Sequence, residues 1–372
     1  MPGLSGFFER KNMSFNPDNP RRKALIAMSG GVDSSVAAYL AIESGLDCIG
    51  VTMKLFDNED AGISREKSCC SLEDTEYARG VAYRLGMPYY VFNFTADFKE
   101  QVMRRFVEAY ERGATPNPCI DCNRYLKFDR LYRRAKELGY EYVVTGHYAR
   151  IEEENGRFLL KKAVDPTKDQ SYVLYSMTQD ELRHTLFPLG GMTKTHTREL
   201  ARKLYNADKP DSQDICFVPD GDYASFIRSF TGRDYPRGEF VDKSGNVLGE
   251  HRGLIGYTVG QRKGLGIALG EPRYVTALLP NENRVVLGSN EDLMSRELDA
   301  KNFNFIAFDT PPAEFRASAR VRYRQAEQPA TVRVTGEDTV HITFDEPQRA
   351  ITKGQAVVVY DGDVVIGGGE IC

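Results

Sequence analysis

No stretch of this chain approaches the roughly 18 consecutive apolar residues that a membrane-crossing helix needs, so it offers no candidate span and no membrane partner is expected. A basic excess is missing too. Lys and Arg number 49 against 53 Asp and Glu, a net charge of −4, so any contact with nucleic acid must come from a local patch rather than a global field. Residues 1–22 hold Pro17 and Pro20 but no apolar signal-peptide core, and read as a disordered extension. Long internal repeats and low-complexity tracts are absent. Cysteine is sparse and odd in number, 7 in 372 residues. Without an export signal, that argues for a reducing cytoplasm in which thiols serve chemistry or metal. Cys119-Ile120-Asp121-Cys122 has no second CxxC and no paired histidines to complete a structural zinc site.

The chain does contain Met28-Ser29-Gly30-Gly31-Val32-Asp33-Ser34-Ser35. The apolar run Ala24 to Met28 precedes it as a short buried strand, and Val36, Ala37, Leu40 and Ala41 follow at helical spacing until Gly45. A glycine turn between strand and helix aims backbone N–H groups and a helix N-terminus at one small volume, which suits phosphate. No Lys follows the second glycine, so this is not a GxxxxGK[ST] loop. The competing reading is an ordinary glycine turn capped by Ser34.

From Lys23 to about Tyr148 strands and helices alternate, with strands at 48–55, 88–94 and 142–145 and helices at 72–85, 98–113 and 128–138. This order predicts a doubly wound parallel sheet that binds its ligand at the strand C-termini. Asn155-Gly156 reads as a hairpin turn, and a helix at 195–204 completes this unit. From about Asp220 glycines become dense and segments shorten. From about Leu298 short strands predominate, and a small antiparallel barrel is expected. The division expected is an α/β unit over 23–218, a small central α+β unit over 219–290 and a β-barrel over 291–372.

Pro116-Asn117-Pro118-Cys119 opens onto a helix whose N-terminus is expected to depress a thiol pKa. Far downstream, Asp211 to Phe217 presents Cys216 among acidic and polar residues. Cys48 reads as a small core residue and Cys372 as idle, while Cys69-Cys70 stays ambiguous. Arg320, Arg322 and Arg324 alternate along one expected strand, with Arg316 four residues back, so their guanidiniums would share a phosphate-binding face.

The SGGVDSS stretch resembles the loop of the ATP pyrophosphatase (PP-loop) superfamily, whose members split ATP into AMP and pyrophosphate. Taken with PNPCIDCNRYLKF, Thr145-Gly146-His147-Tyr148, DPTKDQSY (165–172), DSQDICF, GYTVGQRKGLG (256–266) and Gly367-Gly368-Gly369, the chain from Lys23 onward resembles the bacterial tRNA-specific 2-thiouridylases. The resemblance implies ATP-dependent conversion of the wobble uridine of glutamate, glutamine and lysine tRNAs to 2-thiouridine. It implies ATP contacts at Ala27, Met28, Ser29, Gly30, Gly31, Val32, Asp33, Ser34, Met53 and Gly146, with Asp33 a candidate Mg²⁺ ligand. It implies tRNA contacts at Asn117, Pro118, Cys119, His147, Lys168, Asp169, Gln170, Tyr323, Arg324 and Gln355. Cys216 would carry a persulfide delivered by a cysteine desulfurase or relay protein, with Cys122 as its partner thiol. The chain departs from the pattern at Cys119, where many relatives carry Asp. The alternative mechanism holds a [4Fe–4S] cluster on Cys119, Cys122 and Cys216. Rival readings are another PP-loop ligase, or a nucleotide-sensing RNA-binding protein without chemistry.

Overall fold

The computed structural model describes residues 22–57, 72–202 and 215–372. The extension expected before Arg22, Cys69-Cys70 and Asp211 to Asp214 lie outside the described residues.

The first unit is built on a five-stranded sheet in the order β3-β2-β1-β4-β7: β1 Lys23–Ala27, β2 Asp47–Lys54, β3 Tyr89–Asn93, β4 Tyr142–Val144 and β7 Thr185–Leu186. Every pairing is parallel. Because side chains alternate across a strand, β1 supplies both layers of core. Ala24 and Ile26 pack with Val36, Ala37 and Leu40 of helix α1 (Val32–Glu43) and Val81 of α2 (Leu72–Arg84). Leu25 packs on the opposite face with Leu131, Tyr132 and Ala135. Leu25 and Ile26 are wholly buried, a burial that contributes about 1.5–3 kcal/mol per side chain. The second face is covered by helical runs at 95–111 (α3) and 118–137 (α4), both of which widen into π-helical turns, at Lys99–Arg104 and Cys122–Arg130. The chain runs outward from β1 to β2 and β3, then returns to the far side of β1 as β4. The strand order therefore reverses between β1 and β4, the place where open α/β sheets bind ligand.

The hairpin of β5 (Ala149–Glu154) and β6 (Arg157–Lys162) turns at Asn155 and Gly156, both with positive φ (51° and 80°). Its position differs from expectation. Expected as part of the 23–218 unit, it pairs with β17 (Val364–Ile371) of the C-terminal sheet. Phe158 and Leu160 pack there with Val358, Tyr360 and Val365, an apolar face that only the tertiary partner reveals. Helices α5 (Gln179–Arg183) and α6 (Lys194–Arg202) follow.

After α7 (Tyr223–Thr231), β8 Gly238–Val241, β9 Val247–His251, β10 Tyr274–Leu279 and β11 Arg284–Gly288 form a mixed sheet ordered β10-β11-β8-β9. The last strands are β12 Met294–Phe305, β13 Glu314–Arg320, β14 Gln328–Val334, β15 Val340–Arg349, β16 Ala356–Asp361 and β17. They run β12-β15-β14-β13-β16-β17, and a β12–β17 pairing closes the barrel. Strand β12 escapes sequence reading because only Leu298, Ala300 and Phe303 of its 12 residues are buried.

Candidate functional site

Helix α1 is capped by Gly31, not Ser34, and its cap makes no side-chain bond. Ser34 and Ser35 turn inward instead, each donating its hydroxyl to Gly31 O (3.1 and 2.9 Å), while Ser34 Oγ accepts from Ser29 N–H at 3.2 Å. Gly30 has φ +73°, and a Cβ there would meet Asp74 O of α2 at 2.2 Å. Gly146, just past β4, lies so close under the start of α1 that a Cβ would come within 2.8 Å of Ser34 N. Ala27 to Ser34 and Gly146 thus meet at the reversal of strand order, with Met53 half-buried at the end of β2.

Asp33 lies in the first turn of α1 and is engaged on both carboxylate oxygens. Lys194 Nζ donates to Oδ1 at 2.7 Å and Oδ2 at 2.8 Å, and Tyr148 O–H donates to Oδ1 at 2.9 Å. The Lys194 side chain keeps 11% of its surface exposed and Asp33 keeps 32%. Sequence reasoning missed Lys194. The readable signal was a cation in the first turn of a helix, opposed to the helix dipole and so needing another reason to be there. The backbone N–H of Lys194 donates to Asp165 Oδ2 at 2.9 Å, so the DPTKDQSY stretch positions this lysine.

The same stretch also carries three of the expected RNA-contact residues, and the structure shows what engages them within the protein. Asp169 is saturated inside the protein: its oxygens accept from Ala163 N–H, Ser171 N–H, Ser171 Oγ and Arg320 Nη2 at 2.9–3.1 Å. Gln170 Oε1 accepts from Tyr148 N–H at 3.0 Å. Lys168 is half-buried. His147 is buried between Phe128 and Phe187 with Nδ1 2.7 Å from Thr145 Oγ1. Burial, helped by the nearby Lys127 charge, drives its pKa well below the usual histidine value, so the ring is neutral and presents no cation to a phosphate.

The arginine row is also corrected. Strand β13 ends at Arg320, and the chain then turns, so the alternation that would align Arg322 and Arg324 stops. Arg320 pairs with Asp169 and donates to Tyr360 Oη, Arg322 donates to Val259 O, Ala350 O and Thr352 Oγ1, and Arg316 pairs with Asp345. Tyr323 and Arg324 remain exposed.

The thiols sit on the other side of the first sheet. Asn117 caps α4, accepting from Cys119 N–H at 3.2 Å, with Pro118 at the first helical position. Cys119 keeps an open face to solvent, whereas Cys122 and Cys216 are half-buried. Both Cys122 and Cys216 pack against one cluster built on Phe56, Phe98, Phe106 and Phe217, and Met53 joins them there. The expected pKa depression is not found. Desolvation raises both Cys119 and Cys122, the latter to about 11, outweighing the attraction of Lys127. Lys127, held by Asn123 Oδ1 at 2.9 Å, is a second cation that sequence reasoning missed. Asp121 pairs loosely with Arg105 at 3.7 Å, and desolvation raises its pKa to about 6.

Among the described residues, which include Cys119, Cys122 and Cys216, no three Cys, His, Asp or Glu side chains stand close enough to share a metal ion. A cleft of about 290 Å³ separates α4 from the barrel, and Asn117, Asp121, Arg124, Tyr175 and Gln355 all line it. Gln355 Nε2 donates to Thr115 O at 2.7 Å, tying the barrel to the loop before the CxxC segment.

Three family models match the chain: a tRNA methyl transferase HUP domain over residues 22–220, its PRC-barrel domain over 224–289 and an aminomethyltransferase beta-barrel domain over 295–371. The tRNA-specific 2-thiouridylase MnmA of Clostridioides difficile (strain 630) is 52% identical over 94% of this chain and 98% of its own length. That of Carboxydothermus hydrogenoformans is 52% identical over 94% and 98%. Among solved structures, a 4-thiouridine synthetase–RNA complex with bound ATP aligns at TM-score 0.31 and 17% identity, covering 57% of this chain and 54% of its own, too remote to argue from.

Proposed function

The chain belongs to the tRNA-specific 2-thiouridylase family, and on that premise we propose that it spends ATP to turn the wobble uridine of glutamate, glutamine and lysine tRNAs into 2-thiouridine. The C2 oxygen of uracil is a poor leaving group. Its attack on the α-phosphorus expels pyrophosphate and leaves an O2-adenylate, from which AMP departs readily. The SGGVDSS loop and the N-terminus of α1 receive the phosphates. A Mg²⁺ bound through ATP needs only one or two protein carboxylates, and Asp33 supplies one. Lys194, released from Asp33, is the cation that then compensates the charge growing on pyrophosphate.

Sulfur arrives on Cys216 as a persulfide from a cysteine desulfurase or relay protein. The terminal sulfur attacks C2, AMP leaves, and the base is held as C2–S–S–Cys216. The Cys122 thiolate attacks the Cys216 sulfur, the S–S bond breaks with its electron pair going to the sulfur on C2, and 2-thiouridine leaves a Cys122–Cys216 disulfide for an external reductant. The observation that carries this reading is the packing of Cys122 and Cys216 against one cluster with Met53, beside the loop where ATP would lie. With Cys122 at a pKa of about 11, its thiol stays protonated at neutral pH until RNA or a neighbouring base draws the proton off.

RNA is contacted by Asn117, Pro118 and Cys119 at the mouth of α4, by Lys168, and by Tyr323, Arg324 and Gln355 of the barrel, with the target base flipped toward the thiols. Residues 23–218 carry adenylation and thiolation, the central unit spans 219–290 and the barrel over 291–372 grips tRNA, in the cytoplasm. No described helix is long and apolar enough to cross a membrane. The test is thiolation of a tRNA transcript by purified protein with ATP and a persulfide donor, without added iron. Cys216→Ser is expected to abolish product, because an alkoxyl cannot carry a sulfane sulfur; full activity of that variant overturns the mechanism.

A further inference from the structure

Beginning in the GYTVGQRKGLG stretch and running past it, residues 258–273 form a loop between the central unit's short helical turn and β10. Its apolar residues point inward: Leu265 is buried, and Ile267 and Leu269 pack on the cluster of Phe240, Val275, Val285 and Leu287. The loop is stiffened from within, since Gln261 Oε1 accepts from Thr258 N–H at 3.0 Å and Gln261 Nε2 donates to Lys263 O at 3.1 Å. Its foot is clamped. Val259 O accepts from Arg322 Nη2 at 3.3 Å, and Gly260 lies against Ala350. The barrel therefore holds the foot of this loop.

Arg262 and Lys263 stand out on it. Three other cations around the central sheet have carboxylate partners: Lys243 with Asp292, Arg284 with Glu239, and Arg273 with Glu271. Adjacent Arg262 and Lys263 are exposed, and among the described residues no hydrogen bond or ion pair engages the side chain of either. Arg262 borders an open hollow of about 640 Å³ lined otherwise by residues 264–273, with Lys263 next to it in the chain. Gly264, Gly266 and Gly270 hold φ between +71° and +76°, and the space a Cβ would occupy at Gly266 and Gly270 is open. Backbone shape, not packing, selects those glycines, and the surface they leave lets a bulky ligand reach main chain. Neither side chain is used by the fold itself, so two adjacent positive charges stand open on a chain whose net charge is negative.

We propose that the 258–273 loop is a second tRNA-binding site that grips the sugar–phosphate backbone through Arg262 and Lys263, apart from the cleft where the target nucleotide is received. This rests on the tRNA-thiolating reading above. A guanidinium and an ammonium side by side neutralise two phosphates, and the counterions released make binding salt-dependent.

The experiment measures tRNA affinity by fluorescence anisotropy across a sodium chloride series. Neutralising both residues (R262Q with K263Q) is expected to flatten the log–log salt slope by about 1.4–1.8 units, roughly 0.7–0.9 for each lost phosphate contact. The E271Q variant releases Arg273 from its partner and is expected to steepen the slope. A control double neutralisation on α2, R79Q with R84Q, removes the same net charge elsewhere and is expected to leave the slope in place. An unchanged slope in folded R262Q/K263Q protein overturns the proposal, as does an equal loss in the α2 control, which would make the effect one of net charge. Failure of the unmodified protein to bind tRNA would overturn the functional reading as well. Binding with these slopes but no thiolation would overturn only the latter.

Discussion

Two cation–carboxylate pairs in this molecule are nearly alike on paper. Lys194 bonds Asp33 at the phosphate loop, and Arg320 bonds Asp169 at the seam between hairpin and barrel. They differ in what remains open. Asp169 keeps 7% of its side-chain surface and all its acceptor sites are filled by backbone, serine and guanidinium donors, whereas Asp33 keeps 32% and faces the loop. Arg320 is a planar fork committed to Asp169 and to Tyr360, while Lys194 is a point charge on a flexible stem. The first pair can open without unfolding anything; the second cannot. A buried ion pair therefore marks function only when one partner still meets solvent.

The largest effect expected from breaking this contrast is on stability. Arg320→Ala leaves Asp169 charged, buried and short of a donor, at a cost of about 3–5 kcal/mol, read as a lowered denaturation midpoint. The adenylation rate of the fraction that stays folded should hold. Unchanged stability would mean that solvent reaches Asp169.

Lys194→Met comes next and has the opposite profile. ATP–pyrophosphate exchange in the presence of tRNA should fall by about 100- to 1,000-fold, the scale for losing one preorganised charge at a developing anion. The loss of stability should be smaller than for Arg320→Ala, because Asp33 keeps its Tyr148 bond and a third of its surface in water. Normal exchange would make Lys194 a structural residue only.

Arg105–Asp121 sharpens the comparison as a pair too loose, at 3.7 Å, to offset burial. The Asp121 carboxyl titrates near 6 instead of 3.8. Below about pH 4 it is protonated folded and unfolded alike. As pH rises to 6 the unfolded chain ionises first, so this group's contribution to stability is lost over that window. Asp121→Asn should remove that loss, so the variant's stability relative to the parent should improve between pH 4 and pH 7 in urea titrations. A constant difference would refute the assignment. The smallest effect belongs to Arg324→Ala, which is exposed and should leave stability alone while flattening the tRNA salt slope by about 0.7–0.9.

What could be read from residues alone was whatever local chemistry dictates. The strand–glycine–helix phosphate loop, the alternation that makes a parallel sheet, the Asn155-Gly156 turn and the capped start of the CxxC helix all depend on neighbours within a few positions. So did the barrel's short strands, though not β12, whose polar face hid it. Tertiary structure alone settled where charges are spent. Nothing near Arg320 in sequence announces Asp169, nothing near Asp33 announces Lys194, and the end of β13 that scatters the arginines depends on its pairing with β14 and β16. The thiols follow the same division. Their presence was legible, but the burial that raises Cys122 against the pull of a helix N-terminus comes from Phe98, Phe106 and Phe217, which the fold alone brings there. Local propensity acts along the chain, whereas desolvation and ion pairing act through space, and distance in sequence carries no record of the latter.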